Sequence, residues 1–184
     1  GDHMAPFFDR ARIQVLNWAM GGRSTRSFID EGRWTRVLAQ MKAGDFVIVQ
    51  FGHNDQSEIT MDRGTLISNG SEAETVFSDR DGSRVSVWTF GTYVRQYVAD
   101  ARARGATVIL CTPVPRNWWL DDGRFNNVMA EHSALVRGLG KELGVPVIDL
   151  NAPLSARYAG MGRRAVSSQW YTVGDNTHTN ADGA

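Results

Sequence analysis

Asp45-Phe46-Val47-Ile48-Val49-Gln50-Phe51 is apolar at nearly every position and is bounded by Gly44 and Gly52. A strand with one wet face alternates polar and apolar residues. A run without alternation is expected where both faces are covered, as in a parallel sheet. Residues 107–112, ended by Pro113 and Pro115, and residues 146–149 have the same character. A shorter, β-branched run, Ile13-Gln14-Val15-Leu16-Asn17, predicts a further strand. Helical spacing fills the intervals. Residues 27–41 place Phe28, Trp34, Val37, Leu38 and Met41 on one side, with Gly44 as the stop. Residues 87–105 do so with Tyr93, Val94, Tyr97, Val98 and Ala101, and residues 127–143 form an amphipathic pattern stopped at Gly144. Residues 4–12 also read as helical. Strands alternating with helices require crossover connections, so the chain reads as an α/β fold: a parallel sheet with helices on both faces. Residues 52–86, rich in Gly, Ser, Asp and Glu, read as one long polar loop over a binding cleft.

The length of 184 residues suits one domain with a substantial core. Lysine plus arginine equals aspartate plus glutamate, 20 against 20, which removes the electrostatic case for nucleic acid or an acidic membrane. No apolar run approaches the roughly 20 residues that cross a bilayer. The single cysteine, Cys111, lies inside an apolar run and reads as a small core residue. The chain begins Gly1-Asp2-His3-Met4 and ends Asp182-Gly183-Ala184, in what reads as the opening of a helix. Residues 1–184 are therefore expected to be a single domain, incomplete at both ends.

The polar motifs cluster at the carboxyl ends of the expected strands, where ligands bind in open α/β sheets. Gly21-Gly22 follows the first, Gly52-His53-Asn54-Asp55 the second, and Pro113 to Asn117 the third. Near the end, Asp175-Asn176-Thr177-His178 sets an acid and an imidazole three residues apart. A serine alcohol becomes a nucleophile when an imidazole takes its proton and an acid holds the imidazole's tautomer. Asp175 and His178 are residues of that kind. The plainer reading is a cap, with Asp175 or Thr177 closing the turn toward Asn180 and Ala181. Acyl transfer also needs donors placed for an oxyanion. The Gly22 N–H and the Asn54 amide qualify; the alternatives are a turn glycine and an Asx turn. His53 competes with His178 as base or falls among substrate contacts; the plainer reading is a satisfied structural histidine. His3 and His132 read as solvated. His53-x-Asp55 lacks the second cluster that a metal site requires.

These motifs, in this order, resemble the SGNH (GDSL-like) hydrolases, and within them the rhamnogalacturonan acetylesterase group, carbohydrate esterase family 12. The resemblance rests on Asn17-Trp18-Ala19-Met20-Gly21-Gly22-Arg23-Ser24 with Glu31-Gly32-Arg33-Trp34, and on residues 44–55. It rests also on Thr112-Pro113-Val114-Pro115-Arg116-Asn117 and on Asp175-Asn176-Thr177-His178-Thr179-Asn180. It implies a three-layer α/β/α sandwich with a flavodoxin-like strand order 2-1-3-4-5. It implies hydrolysis of acetyl esters on acetylated plant polysaccharide or its oligosaccharides, with neither metal nor organic cofactor. Gly22 and Asn54 are then oxyanion donors, His178 the base and Asp175 its orienting acid, and Arg116, Trp118 and Trp119 are candidates for a sugar-binding wall or, equally, for packing. The family's first block, Gly-Asp-Ser on strand 1, has no counterpart here: no serine precedes Ser24. The first strand is expected to be missing, and the chain to be inactive and poorly stable by itself. A carbohydrate-binding pseudoenzyme and a lipase or thioesterase of the wider superfamily remain the other readings, and both a secreted and a cytoplasmic location stay open.

Overall fold

The computed structural model describes residues 2–183. In chain order its regular elements are α1 (Thr25–Asp30), α2 (Arg33–Gln40), β1 (Phe46–Val49), β2 (Ala73–Phe77), β3 (Arg84–Trp88) and α3 (Phe90–Ala103). They continue with β4 (Thr107–Cys111), α4 (Ala130–Leu143), β5 (Val147–Ile148), α5 (Asn151–Met161) and α6 (Arg163–Trp170). The chain divides into two compact units. One spans Gly22–Pro115 and Val128–Leu154; the other comprises the residues up to Gly21, Arg116–Asn127 and those from Ser155 on.

In the first unit β1, β4 and β5 form a parallel sheet in the order β1-β4-β5. The α/β class and the parallel sheet expected from the apolar runs are present. The register sets Val47 beside Val108, and Val49 beside Leu110, itself beside Val147. That face joins a core with Phe28, Trp34 and Val37 from α1 and α2, Phe90 to Ala101 from α3, and Val136 and Leu139 from α4. The opposite face is not covered as expected: Phe46 is 72% exposed and Ile48 41% exposed. An apolar run shows what a strand can bury, and the neighbours decide which face is buried.

Several expected elements differ. Residues 13–17 form no strand, and Ile13 and Leu16 are exposed. A β-branched run gains from extension only through a ladder partner, and among the described residues it has none. Residues 4–12 give a 3-10 helix over Asp2–Phe7, with Pro6 inside it, followed by turns. The expected helix over residues 27–41 is two helices. The break is at Gly32, whose φ of 67° is left-handed backbone that favours glycine. The long loop contains the antiparallel hairpin β2–β3, which takes Val87 and Trp88 from the expected helix. Its alternation is faint because both of its strands are largely exposed. The rest of that loop is tied down by Arg26, a buried side chain on α1. Its Nη1 donates to the carbonyls of Ile59, Met61 and Gly64 at 3.2, 3.1 and 3.2 Å. In the second unit, the segment after residue 154, to which the sequence reading assigned no element, carries the end of α5 and all of α6.

Candidate active site

The first unit holds the Gly22 and Asn54 motifs. Directly after β1 the chain turns through Gly52, whose φ is 138°. That backbone conformation favours glycine, and a Cβ there would also be tight, 3.2 Å from the Met129 methyl and 3.2 Å from the Pro113 ring. Asp55, fully buried, latches this turn to the start of α1. Its Oδ1 accepts the Thr25 N–H at 3.1 Å and the Thr25 hydroxyl; its Oδ2 accepts the Gly52 N–H at 3.1 Å. Burial pushes its pKa up to about 6, against the lowering effect of these donors. Both oxygens are thus taken by protein donors, and among the described residues no group of three acids, histidines or cysteines is placed to hold a metal.

The latch brings Asn54 onto the loop ahead of α1, where its amide Nδ2 donates to the Arg23 carbonyl at 3.2 Å. An amide nitrogen carries two hydrogens, so one remains for another acceptor. Gly22, next to Arg23, is exposed with φ 78°, and nothing lies within 4 Å of where a Cβ would stand. Ser24 is buried at the N-cap of α1 in a capping box: its hydroxyl accepts the Ser27 N–H while Ser27 Oγ accepts the Ser24 N–H. That hydroxyl is a cap, closed off from solvent.

His53 directs Nε2 to the Val114 carbonyl at 2.9 Å. A carbonyl only accepts, so this nitrogen carries the proton and holds the β1 turn to the segment after β4. His132, expected to be solvated, is fully buried, edge-on to Phe90 at 5.2 Å. Neither ring nitrogen meets a partner among the described residues, and burial lowers its pKa to about 4, so the ring is neutral. Its position on α4 concealed this, because an amphipathic pattern counts histidine as polar.

In the second unit Asp175 and His178 meet. Asp175 Oδ1 accepts the backbone N–H groups of Thr177 and His178 at 2.7 and 2.9 Å, and Oδ2 accepts Nδ1–H of His178 at 2.9 Å. One carboxylate therefore both caps the turn and holds the imidazole. The N–H groups of His178 and Thr177, then the imidazole, hold its pKa down to about 2. With Nδ1 engaged, the ring's other nitrogen is left for an external proton, and the His178 side chain is 75% exposed. The Asn117 N–H donates to the Asn176 carbonyl at 2.8 Å, and Tyr171 bridges Thr179, closing the base of the loop.

Arg116 is spent on that loop, with Nη1 donating to the Thr177 hydroxyl. Trp119 packs edge-on to Phe125 at 5.2 Å and donates Nε1–H to Asn117 Oδ1 at 2.6 Å. Trp118 is 47% exposed. Trp118, Trp119 and Asp175 line a groove of about 840 Å³ whose other walls include Arg163, Arg164 and Ser167 of α6. The sequence reading passed over the α6 residues. The available signal was charge: residues 150–174 contain three arginines and no acid.

The chain matches the model of the GDSL-like Lipase/Acylhydrolase family over residues 3–184. It is 30% identical to the rhamnogalacturonan acetylesterase of Emericella nidulans over 100% of this chain and 73% of that protein. It is 31% identical to rhamnogalacturonan acetylesterase RhgT of Bacillus subtilis over 91% of this chain, and spans 62% of that protein's length. The crystal structure of the YxiM protein of Bacillus subtilis is similar at TM-score 0.72 and 27% identity, over 98% of this chain and 45% of the solved one.

Proposed function

The chain belongs to the GDSL-like lipase/acylhydrolase family, and from that premise we propose that it forms part of a carbohydrate acetylesterase acting on acetylated, pectin-type polysaccharide. The observation that carries the reading is the Asp175–His178 pair. Its carboxylate stays ionised to about pH 2 and fixes Nδ1–H, so Nε2 is the proton acceptor. In the proposed reaction Nε2 of His178 takes the proton of a serine alcohol as its oxygen attacks the acetyl carbonyl. The oxyanion needs N–H donors, a role proposed for the Gly22 N–H and the Asn54 amide, and His178 returns the proton to the departing sugar oxygen, which leaves as a hydroxyl. Water then repeats the sequence on the acetyl-serine and acetate leaves.

The serine is proposed to lie outside these 184 residues. Two observations support this. The hydroxyl of Ser24 is committed to its cap, and among the described residues β1 pairs along one edge, with β4. Enzymatic acetate release from acetylated rhamnogalacturonan tests both parts. The 184-residue chain alone is expected to release none. The same chain preceded by a strand ending in Gly-Asp-Ser is expected to be active, and to lose about 10⁴-fold or more with His178→Ala. Turnover by the chain alone would refute the placement of the serine; an unaffected His178→Ala would refute the role of the pair.

A further inference from the structure

The groove of the second unit carries a charge pattern that ester hydrolysis does not use. Arg163 and Arg164 open α6 side by side and both line the groove. Neither forms an ion pair with an acid among the described residues. The one acid on the groove wall, Asp175, has both oxygens occupied by N–H donors. No side chain caps the first turn of α6, so its N–H groups add to the positive potential there. The same groove wall holds the half-exposed Trp118 indole and Ser167, whose hydroxyl is paired with the Asn117 amide. A volume of about 840 Å³ lies within the size range of small-ligand sites.

A pair of guanidinium forks with no acid partner in the protein recognises a planar carboxylate or a phosphate. An aromatic face suits a sugar ring. One ligand that carries both features is a uronic acid residue. We infer that Arg163 and Arg164 form a subsite that reads the carboxylate of a uronate unit in the glycan, with Trp118 as the platform under its ring. The inference rests on the proposed action on a pectin-type glycan for its direction, but the binding it describes needs neither an acetyl group nor turnover. The subsite adjoins Asp175, so a uronate held there places the bound glycan beside the Asp175–His178 pair. Arg116, the arginine singled out from sequence, is a positioning residue for the Thr177–His178 turn.

The test is calorimetric titration of the serine-containing enzyme with a deacetylated rhamnogalacturonan oligosaccharide and with the same oligosaccharide after reduction of its carboxyl groups to alcohols. The acidic ligand is expected to bind at least about tenfold more tightly, with the advantage shrinking as salt rises. Arg163→Gln with Arg164→Gln should abolish that advantage and leave the reduced ligand unaffected. Arg163→Lys with Arg164→Lys should keep part of it. Trp118→Ala should weaken both ligands alike. Equal affinity for the two ligands, or a preference that survives the double glutamine variant, would overturn the inference. Loss of acetate release in the serine-containing enzyme with this preference intact would overturn the esterase reading alone.

Discussion

Asp55→Asn separates two opposing titrations buried in the first unit. Asp55 is moved from 3.8 to about 6 by burial, a displacement equivalent to about 3 kcal/mol. Between about pH 4 and 6 the folded chain holds this proton more tightly than the unfolded chain does. Stability therefore falls as pH rises through that window and levels off above it. His132 acts in the other direction: burial depresses it from 6.5 to about 4, so its share of stability is lost as pH falls from 6.5 toward 4. That displacement also amounts to about 3 kcal/mol, so the two largely cancel in the parent. Asparagine keeps the shape and the acceptor facing Thr25, but it sets an amide N–H against the Gly52 N–H. The orphaned donor costs about 1–3 kcal/mol. At pH 4 the variant should be less stable than the parent by that amount. At pH 7 the relief of the buried charge offsets it, and the difference moves by about 3 kcal/mol in the variant's favour. Urea unfolding followed by tryptophan fluorescence at several pH values measures this difference, in which other titrations cancel. A parent–variant difference constant to within about 1 kcal/mol from pH 4 to 7 would refute the reasoning.

The Asp175 carboxyl should titrate near pH 2 in a ¹³C NMR experiment; its contribution to stability is present above about pH 4 and is lost as pH falls toward 2. A midpoint at the ordinary aspartate value would mean that the turn does not hold the carboxylate. Gly140→Ala should destabilise by about 1–2 kcal/mol in a thermal or urea melt, although alanine is the better helix former by about 1 kcal/mol. A Cβ there would stand 2.1 Å from the Val147 Cγ2 of β5, which has to move. A raised melting temperature would contradict that packing.

The strand cores at 46–49, 107–111 and 147–148 and the bodies of α3 and α4 follow from local pattern, because apolar spacing over 5–15 residues is what propensity and burial act upon. Asp175 with His178 was legible for the same reason, being contained in four consecutive residues. The strand at 13–17 failed because extension depends on a partner that no local pattern contains. The hairpin β2–β3 escaped notice because solvent lies against much of both strands and leaves little hydrophobic signal.

The sequence by itself determined the α/β class, the order of its principal elements, and an acid three residues before an imidazole. These depend on residues close in the chain, where a few dihedral angles and side-chain periodicity decide the outcome. The tertiary structure alone decided that Asp55 latches Thr25, 30 residues away, and that Arg116 turns to Thr177, 61 residues away. It also decided that His132 is buried and that Arg163 and Arg164 face a groove. Burial and hydrogen bonding depend on which distant groups close around a side chain, and that is settled when the elements pack.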